Sequence, residues 1–211
     1  MSDGKNYKQD FDKGDNMKHN LNSKSNRFAQ RTLADFSGGL LQILERKSFE
    51  SIKVGELCDA CNYPRATFYN YFDDIFDLLD YCWILLTEKF NLDDYEEISH
   101  QERTQILFAR LYDCLEAESM HLQAIIRHNP SDGMMMNSFR LYLKKIIIEM
   151  IMKCPYNEMY SIPDEMVAEH YGNTIEMILE WCFIKKCRLS KEEAQQCIFY
   201  LLDTIEKGKK E

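Results

Sequence analysis

The sequence predicts an all-α fold, with an N-terminal three-helix domain containing a helix-turn-helix and a larger helical domain behind it, about nine helices in total. Three observations predict it. Only four prolines and eight glycines occur in 211 residues, while Leu, Ile, Met, Glu and Lys are plentiful, so helix formers far outnumber breakers. Apolar residues recur at three- and four-residue steps through most of the chain, and no strand-like alternation or internal repeat interrupts them. Near residue 60, two short helical stretches are parted by a tight turn, the signature of a helix-turn-helix.

Residues 1–25, "MSDGKNYKQDFDKGDNMKHNLNSKS", hold almost no aliphatic side chains and cannot bury enough apolar surface to order themselves, so a disordered tail is expected. Lys18, Lys24, Arg27 and Arg31 cluster at its end, as a basic arm reaching a polyanion would. Asp3, Asp10, Asp12 and Asp15 oppose that role for the earlier part. From Arg27 the pattern becomes helical: Phe28, Leu33, Phe36, Leu40, Leu41 and Leu44 form one stripe, ending near "ERKSFES".

"VGELCDAC" predicts a second, short helix with Val54, Leu57, Cys58 and Cys61 on one face. Asn62 and Tyr63 make the turn. Pro64 then opens a third helix over residues 65–72, because the missing N–H of proline has no intrahelical partner in a first turn. Asp74 is placed to cap a fourth helix, with Asp77 three residues on as an acidic form of the capping box, and that helix runs to Phe90. "NLDDYEEIS" reads as a loop. Further helices are expected near 100–118, 119–129, 133–153, 163–187 and 190–207, with breaks at "NPSDG", "CPYNEMYSIPD" and "KKCRLS". The predicted domains are the tail (1–25), the helix-turn-helix (26–73) and the larger helical domain (74–211).

No run of eighteen apolar residues occurs and the N-terminus lacks an apolar signal core, so a cytoplasmic chain without a membrane partner is expected. Its eight cysteines should then be reduced. The net charge of −9 is divided unevenly. Residues 18–72 carry eight Lys or Arg against five Asp or Glu, and residues 73–211 carry fifteen against twenty-six. A polyanion would therefore meet the front.

Cys58 and Cys61 have C-x-x-C spacing, which allows a thiol- or metal-responsive sensor. A structural zinc needs four ligands, however, and neither a second C-x-x-C nor an H-x₃₋₅-H pair is present. His121 and His128 share a predicted helix face with Cys114 nearby, and surface or hydrogen-bonded histidines are the simpler reading. No metal site and no cofactor is assigned. Gly-rich phosphate loops, nucleophile elbows and H-E-x-x-H are missing from the sequence, so no enzyme is expected.

In a helix-turn-helix the second helix enters the major groove while the first crosses the backbone. In residues 65–72, Phe68 and Phe72 are four apart and take the core side, leaving Arg65, Thr67, Tyr69, Asn70 and Tyr71 outside. Arg pairs with guanine, Asn with adenine and a Thr methyl with thymine, while Tyr and Thr hydroxyls bond phosphate. A small helix using its aromatics only as core is the alternative.

"LLQILERKSFESIKVGELCDACNYPRATFYNYFDDIFDLL", residues 40–79, resembles the DNA-binding domain of the tetracycline-repressor (TetR) family, and the corner "KSFESIKV" is similar to a branch common in Gram-positive bacteria. In that family a Lys-Phe corner precedes Ile-Thr-Val, a short helix, and a recognition helix ending Tyr-x-x-Phe. The resemblance implies contacts to a double-stranded DNA operator from Lys53, Arg65, Ala66, Thr67, Tyr69, Asn70 and Tyr71. It also implies a homodimer on a palindromic site and a repressor released by a small-molecule effector. Three positions depart from the family pattern: Asn62 for the turn glycine, Pro64 for a polar cap, and Ile75 for a phosphate-binding lysine. Asn62 tolerates a left-handed backbone. Ile75 beside Asp73 and Asp74 should lower electrostatic affinity. A helical dimer working through protein partners with a degraded DNA-binding domain is the corresponding alternative.

The resemblance further implies that the larger domain senses ligand and dimerises. Tyr81, Trp83, Phe108, Tyr112, Tyr142 and Tyr171 are the candidates for an apolar or amphipathic effector pocket, with ordinary core packing as the competing role for each. The last two helices are the dimer candidates through Gly172, Ile175, Ile178, Leu179, Ile198, Leu201 and Leu202, two helices from each protomer making a four-helix bundle.

Overall fold

The expected helices form close to their predicted bounds in the computed structural model, which describes residues 27–89, 94, 97–99, 102–152, 162–185 and 188–206. The 1–25 tail, Phe90, Cys154 and Cys187 lie outside the described residues, as do most of "NLDDYEEIS" and "CPYNEMYSIPD". Among the described residues the order is α1 (Arg27–Leu44), a 3-10 turn (Phe49–Ser51), α2 (Val54–Cys61), α3 (Arg65–Tyr69), α4 (Ile75–Glu88), α5 (Arg103–Ala117), α6 (Ser119–His128), α7 (Met134–Met152), α8 (Asp164–Phe183) and α9 (Lys191–Glu206), with no strand. None of these helices is long and apolar enough to cross a membrane.

The described residues divide into two compact units, one drawn from 1–96 and 124–138, the other from 97–123 and 139–211. This grouping takes more than the segment 26–73 into the first unit. The reason is the apolar face of α4, whose Leu78, Leu79 and Cys82 join Phe36, Leu40, Leu57, Phe68 and Phe72 in one buried cluster. Ile125 of α6 and Met135 of α7 complete it. Phe36 is its hub, meeting Phe68 edge-on at 5.4 Å, Phe72 edge-on at 6.4 Å and Tyr63 at 5.2 Å. Aromatic pairs prefer such edge-on or offset geometry because ring faces are negative and ring edges positive.

A polar clamp secures the corner between α1 and α2. The Asn129 side chain, 2% exposed, accepts from the Phe49 N–H at 2.8 Å and donates to the carbonyls of Ile125 (2.9 Å), Leu44 (3.3 Å) and Lys47 (3.5 Å). Burial without these partners would be costly. Glu50 accepts the N–H of Met134 at 2.8 Å, a bond that holds its carboxyl below the ordinary carboxylate value. A residue of the corner thereby caps the first turn of α7, where negative charge is favoured.

In the second unit α8 and α9 pack along their length. Val167, Tyr171, Ile178 and Cys182 are buried with Ala194, Ile198 and Leu202, and Phe108 and Leu111 of α5 share this core. Lys191 at the start of α9 donates to both carboxylate oxygens of Asp113 on α5, at 2.6 Å each. Arg140 of α7 pairs with Glu176 and Glu180 of α8. Ser190 and Glu193 form a reciprocal capping box at the head of α9, where the Glu193 N–H meets the Ser190 hydroxyl and the Ser190 N–H meets the Glu193 carboxylate.

Candidate nucleic-acid interface

The turn between α2 and α3 is shaped by Asn62, whose φ of 58° and ψ of 42° are left-handed, the single non-glycine positive φ among the described residues. Asn stands in for glycine there because its short polar side chain adapts to that region better than a branched one. Pro64 precedes α3 with an extended backbone and offers no side-chain cap. α3 is shorter than the predicted 65–72. It ends at Tyr69, with Asn70 at its C-terminal boundary, and the Phe72 N–H still bonds back to the Phe68 carbonyl at 3.0 Å.

Phe68 and Phe72 are fully buried, and Arg65, Ala66, Tyr69 and Asn70 are exposed. Thr67 and Tyr71 are half-buried. Tyr71 leans on the core beside Phe72, so it presents less of itself than the predicted outer face assigned to it. Lys53 is exposed at the start of α2. Lys47 is occupied by Glu56 at 2.6 Å, whereas neither Lys53 nor Arg65 has an ion-pair partner among the described residues. Asp74 is a helix cap: its carboxylate accepts the N–H groups of Phe76 at 2.8 Å and Asp77 at 3.1 Å, so its charge sits against the positive end of α4. Asp77 reaches back to the Asp73 N–H at 2.8 Å, one residue earlier than the capping box predicts.

The C-x-x-C pair is part of the packing. Cys58 is buried and Cys61 half-buried, and the Cys61 thiol donates weakly to the Asp35 carbonyl at 3.3 Å. Gly39 of α1 makes room for it, since a Cβ there would lie 2.3 Å from the Cys61 sulfur. Burial raises both thiol pKa values, which lowers the thiolate fraction needed for metal binding or redox chemistry. Among the described residues no three His, Cys, Asp or Glu are grouped to hold a metal ion.

The six pocket candidates fall in both units. Tyr81 and Trp83 pack on the first unit's core, Tyr81 against Phe72 at 5.9 Å, while the Trp83 indole N–H donates to the Ser138 hydroxyl at 2.9 Å. Phe108, Tyr112, Tyr142 and Tyr171 belong to the second unit. There Tyr112 lies between Phe108 at 6.4 Å and Phe183 at 5.1 Å, and burial raises its hydroxyl pKa.

The dimer candidates are distributed over α8 and α9. Gly172, Ile178, Leu179, Ile198 and Leu202 are buried within the chain and Ile175 is half-buried; only Leu201, 43% exposed, faces outward. Their apolar spacing marks the face that α8 and α9 turn to their own core. The exposed face of α8 carries Met166, His170, Asn173, Met177 and Trp181 at four-, three-, four- and four-residue steps, and α9 exposes Phe199 and Tyr200 beside Leu201. Their signal in the sequence is Met166, Met177 and Trp181 recurring at helical spacing opposite the buried stripe of α8.

No protein-family model matches the chain, and no curated protein matches it by sequence. Solved structures do match. A protein described as a TetR-family transcriptional regulator from Syntrophomonas wolfei shares 16% identity, with 85% of this chain and 97% of that chain covered and a TM-score of 0.65. A TetR transcriptional regulator from Streptococcus agalactiae shares 16% identity over 85% and 96%, at 0.57. The dihydroxyacetone kinase operon activator DhaS shares 16% over 85% and 98%, at 0.52. The chain has the fold of the TetR-family transcriptional regulators.

Proposed function

We propose that the protein is a DNA-binding transcriptional regulator, a repressor that sits on a palindromic operator as a homodimer and leaves it when a small apolar or amphipathic effector binds the second unit. The observation that carries this reading is α3: Phe68 is consumed by the core, so what remains exposed is Arg65, Ala66, Tyr69 and Asn70, with Lys53, which has no ion-pair partner among the described residues, at the start of α2. These are groups that bond phosphates and base edges. Because Asp74 is committed to capping α4, the acidic pair after α3 opposes a polyanion less than its sequence implies.

The exposed Met166, Met177 and Trp181 of α8, with Phe199, Tyr200 and Leu201 of α9, are the proposed dimer surface. Met166, Met177 and Trp181 share one exposed face of α8, and α9 adds Phe199, Tyr200 and Leu201, the kind of large apolar and aromatic groups that an interface core buries. Effector binding is proposed among Phe108, Tyr112, Tyr142 and Tyr171, since Tyr81 and Trp83 are used by the first unit. The sign of regulation is open to the same experiment, because this fold also serves an operon activator.

The test is footprinting on the DNA upstream of the protein's own gene, with a reporter read in parallel. Wild-type protein is expected to protect a symmetric site as a dimer and lower reporter output, Tyr69→Ala should abolish protection, and Arg65→Ala should raise the protein concentration needed for it about eightfold, both variants remaining folded. Unchanged footprints in both variants would remove α3 as the recognition element. Protein that selects no DNA at all would favour a helical dimer acting on protein partners.

A further inference from the structure

The guanidinium of Arg65 closes on Gly55. A Cβ built on Gly55 would stand 2.3 Å from one Nη, 2.9 Å from Cζ and 3.0 Å from Nε, so the whole planar group occupies the space that any other residue would fill. Arg65 is the first residue of α3, yet its charged end rests on the first turn of α2. Its field reaches the Cys58 thiol on the same helix, where it opposes the rise caused by burial. The nearby carboxylate of Glu56 is already bound to Lys47 at 2.6 Å, and Arg65 has no ion-pair partner of its own among the described residues.

In a helix-turn-helix the first helix of the pair crosses the sugar-phosphate backbone and the second enters the groove. A guanidinium carried back onto the first helix therefore travels with the backbone-crossing element, next to Lys53 at the same helix end. We propose that Arg65 is a phosphate clamp held in a glycine cradle, that Gly55 is the residue that positions it, and that base reading falls to Thr67, Tyr69 and Asn70. Held against Gly55 on an exposed residue and without an ion-pair partner among the described residues, the guanidinium keeps its planar fork for a phosphate, which such a group grips through two parallel bonds. This rests on reading the helix-turn-helix as a duplex-binding element.

The test uses the full chain and a randomised duplex library. Wild type, Arg65→Ala, Arg65→Lys and Gly55→Ala are each taken through selection, and the wild-type consensus is then titrated with salt. Losing one phosphate contact should weaken binding about eightfold at 0.1 M salt and reduce the magnitude of the log–log salt slope by about one, with the consensus unchanged. Gly55→Ala should reproduce this loss although alanine favours the helix, so its melting temperature should hold or rise while affinity falls. Arg65→Lys, which keeps the charge but loses the planar fork, should retain the slope and lose part of the affinity. A changed preferred base in Arg65→Ala or Gly55→Ala overturns the inference alone, as does wild-type affinity in Gly55→Ala. Failure of the wild type to enrich any duplex overturns the duplex-binding reading, and the inference with it.

Discussion

α3 and α8 both carry aromatic side chains outward, but their neighbours sort those side chains differently. α3 is five residues long, and its one buried residue, Phe68, leaves the remaining positions exposed or half-exposed almost by default. α8 is twenty residues long and apolar on two faces, one closed by α9 and its own unit, the other open at Met166, Met177 and Trp181. In a short helix the functional side is what remains after the core is served. In a long one, core and interface have the same chemistry and only the partner helix tells them apart.

The comparison predicts the largest losses where each helix is anchored. Phe36→Ala in the first unit and Ile178→Ala in the second should each cost about 2–5 kcal/mol in urea unfolding, through lost burial and the cavity left behind. If Ile178→Ala instead split the proposed dimer with stability intact, the proposed contact face of α8 would be the wrong one. Asn129→Ala should cost about 2–3 kcal/mol, because it strands the Phe49 N–H and buried carbonyls around it. Asn129→Asp keeps the acceptor but not the donors, and should recover little.

Trp181→Asp attacks the open face. It should weaken self-association by about 2 kcal/mol in sedimentation equilibrium, the scale of an aromatic hot spot, with an unaltered helical spectrum in the monomer. Asp74→Ala removes a cap that serves two N–H groups, and about 1 kcal/mol of stability should go with it. Its effect on DNA affinity separates the two roles of the acidic pair: a gain means the charge opposed the duplex even while capping.

The smallest effect is a pH dependence. Glu50 titrates below the ordinary carboxylate value because it accepts the Met134 N–H. A depressed folded-state pKa contributes stability that is present above the unfolded value and is lost as pH falls through the folded one. Urea midpoints taken from about pH 5 to pH 3 should therefore fall slightly less in Glu50→Ala than in the wild type. An identical slope in both would remove the Glu50 cap as a contributor.

Much of this was legible in order along the chain. Apolar steps of three and four fixed the helices to within a few residues, and Asn62, Pro64 and Asp74 each carry a backbone preference that needs no distant partner, so the turn and the α4 cap could be read directly. What lay out of reach depended on residues far apart in sequence. Asn129 reads as an ordinary polar residue before a proline until the corner at residues 44–49 closes around it. Gly55 reads as a weak spot in a short helix until Arg65 closes on it, and the C-x-x-C spacing of Cys58 and Cys61 gives no sign of the close approach of α1 that Gly39 allows. The sequence by itself determined the helices, their turn and the polar residues left outside α3, because these follow from local propensity and periodicity. Only the tertiary structure decided which apolar face of α8 is core, which cations stay unpaired and where the Arg65 charge rests, because each depends on which neighbour arrives to cover or neutralise a group.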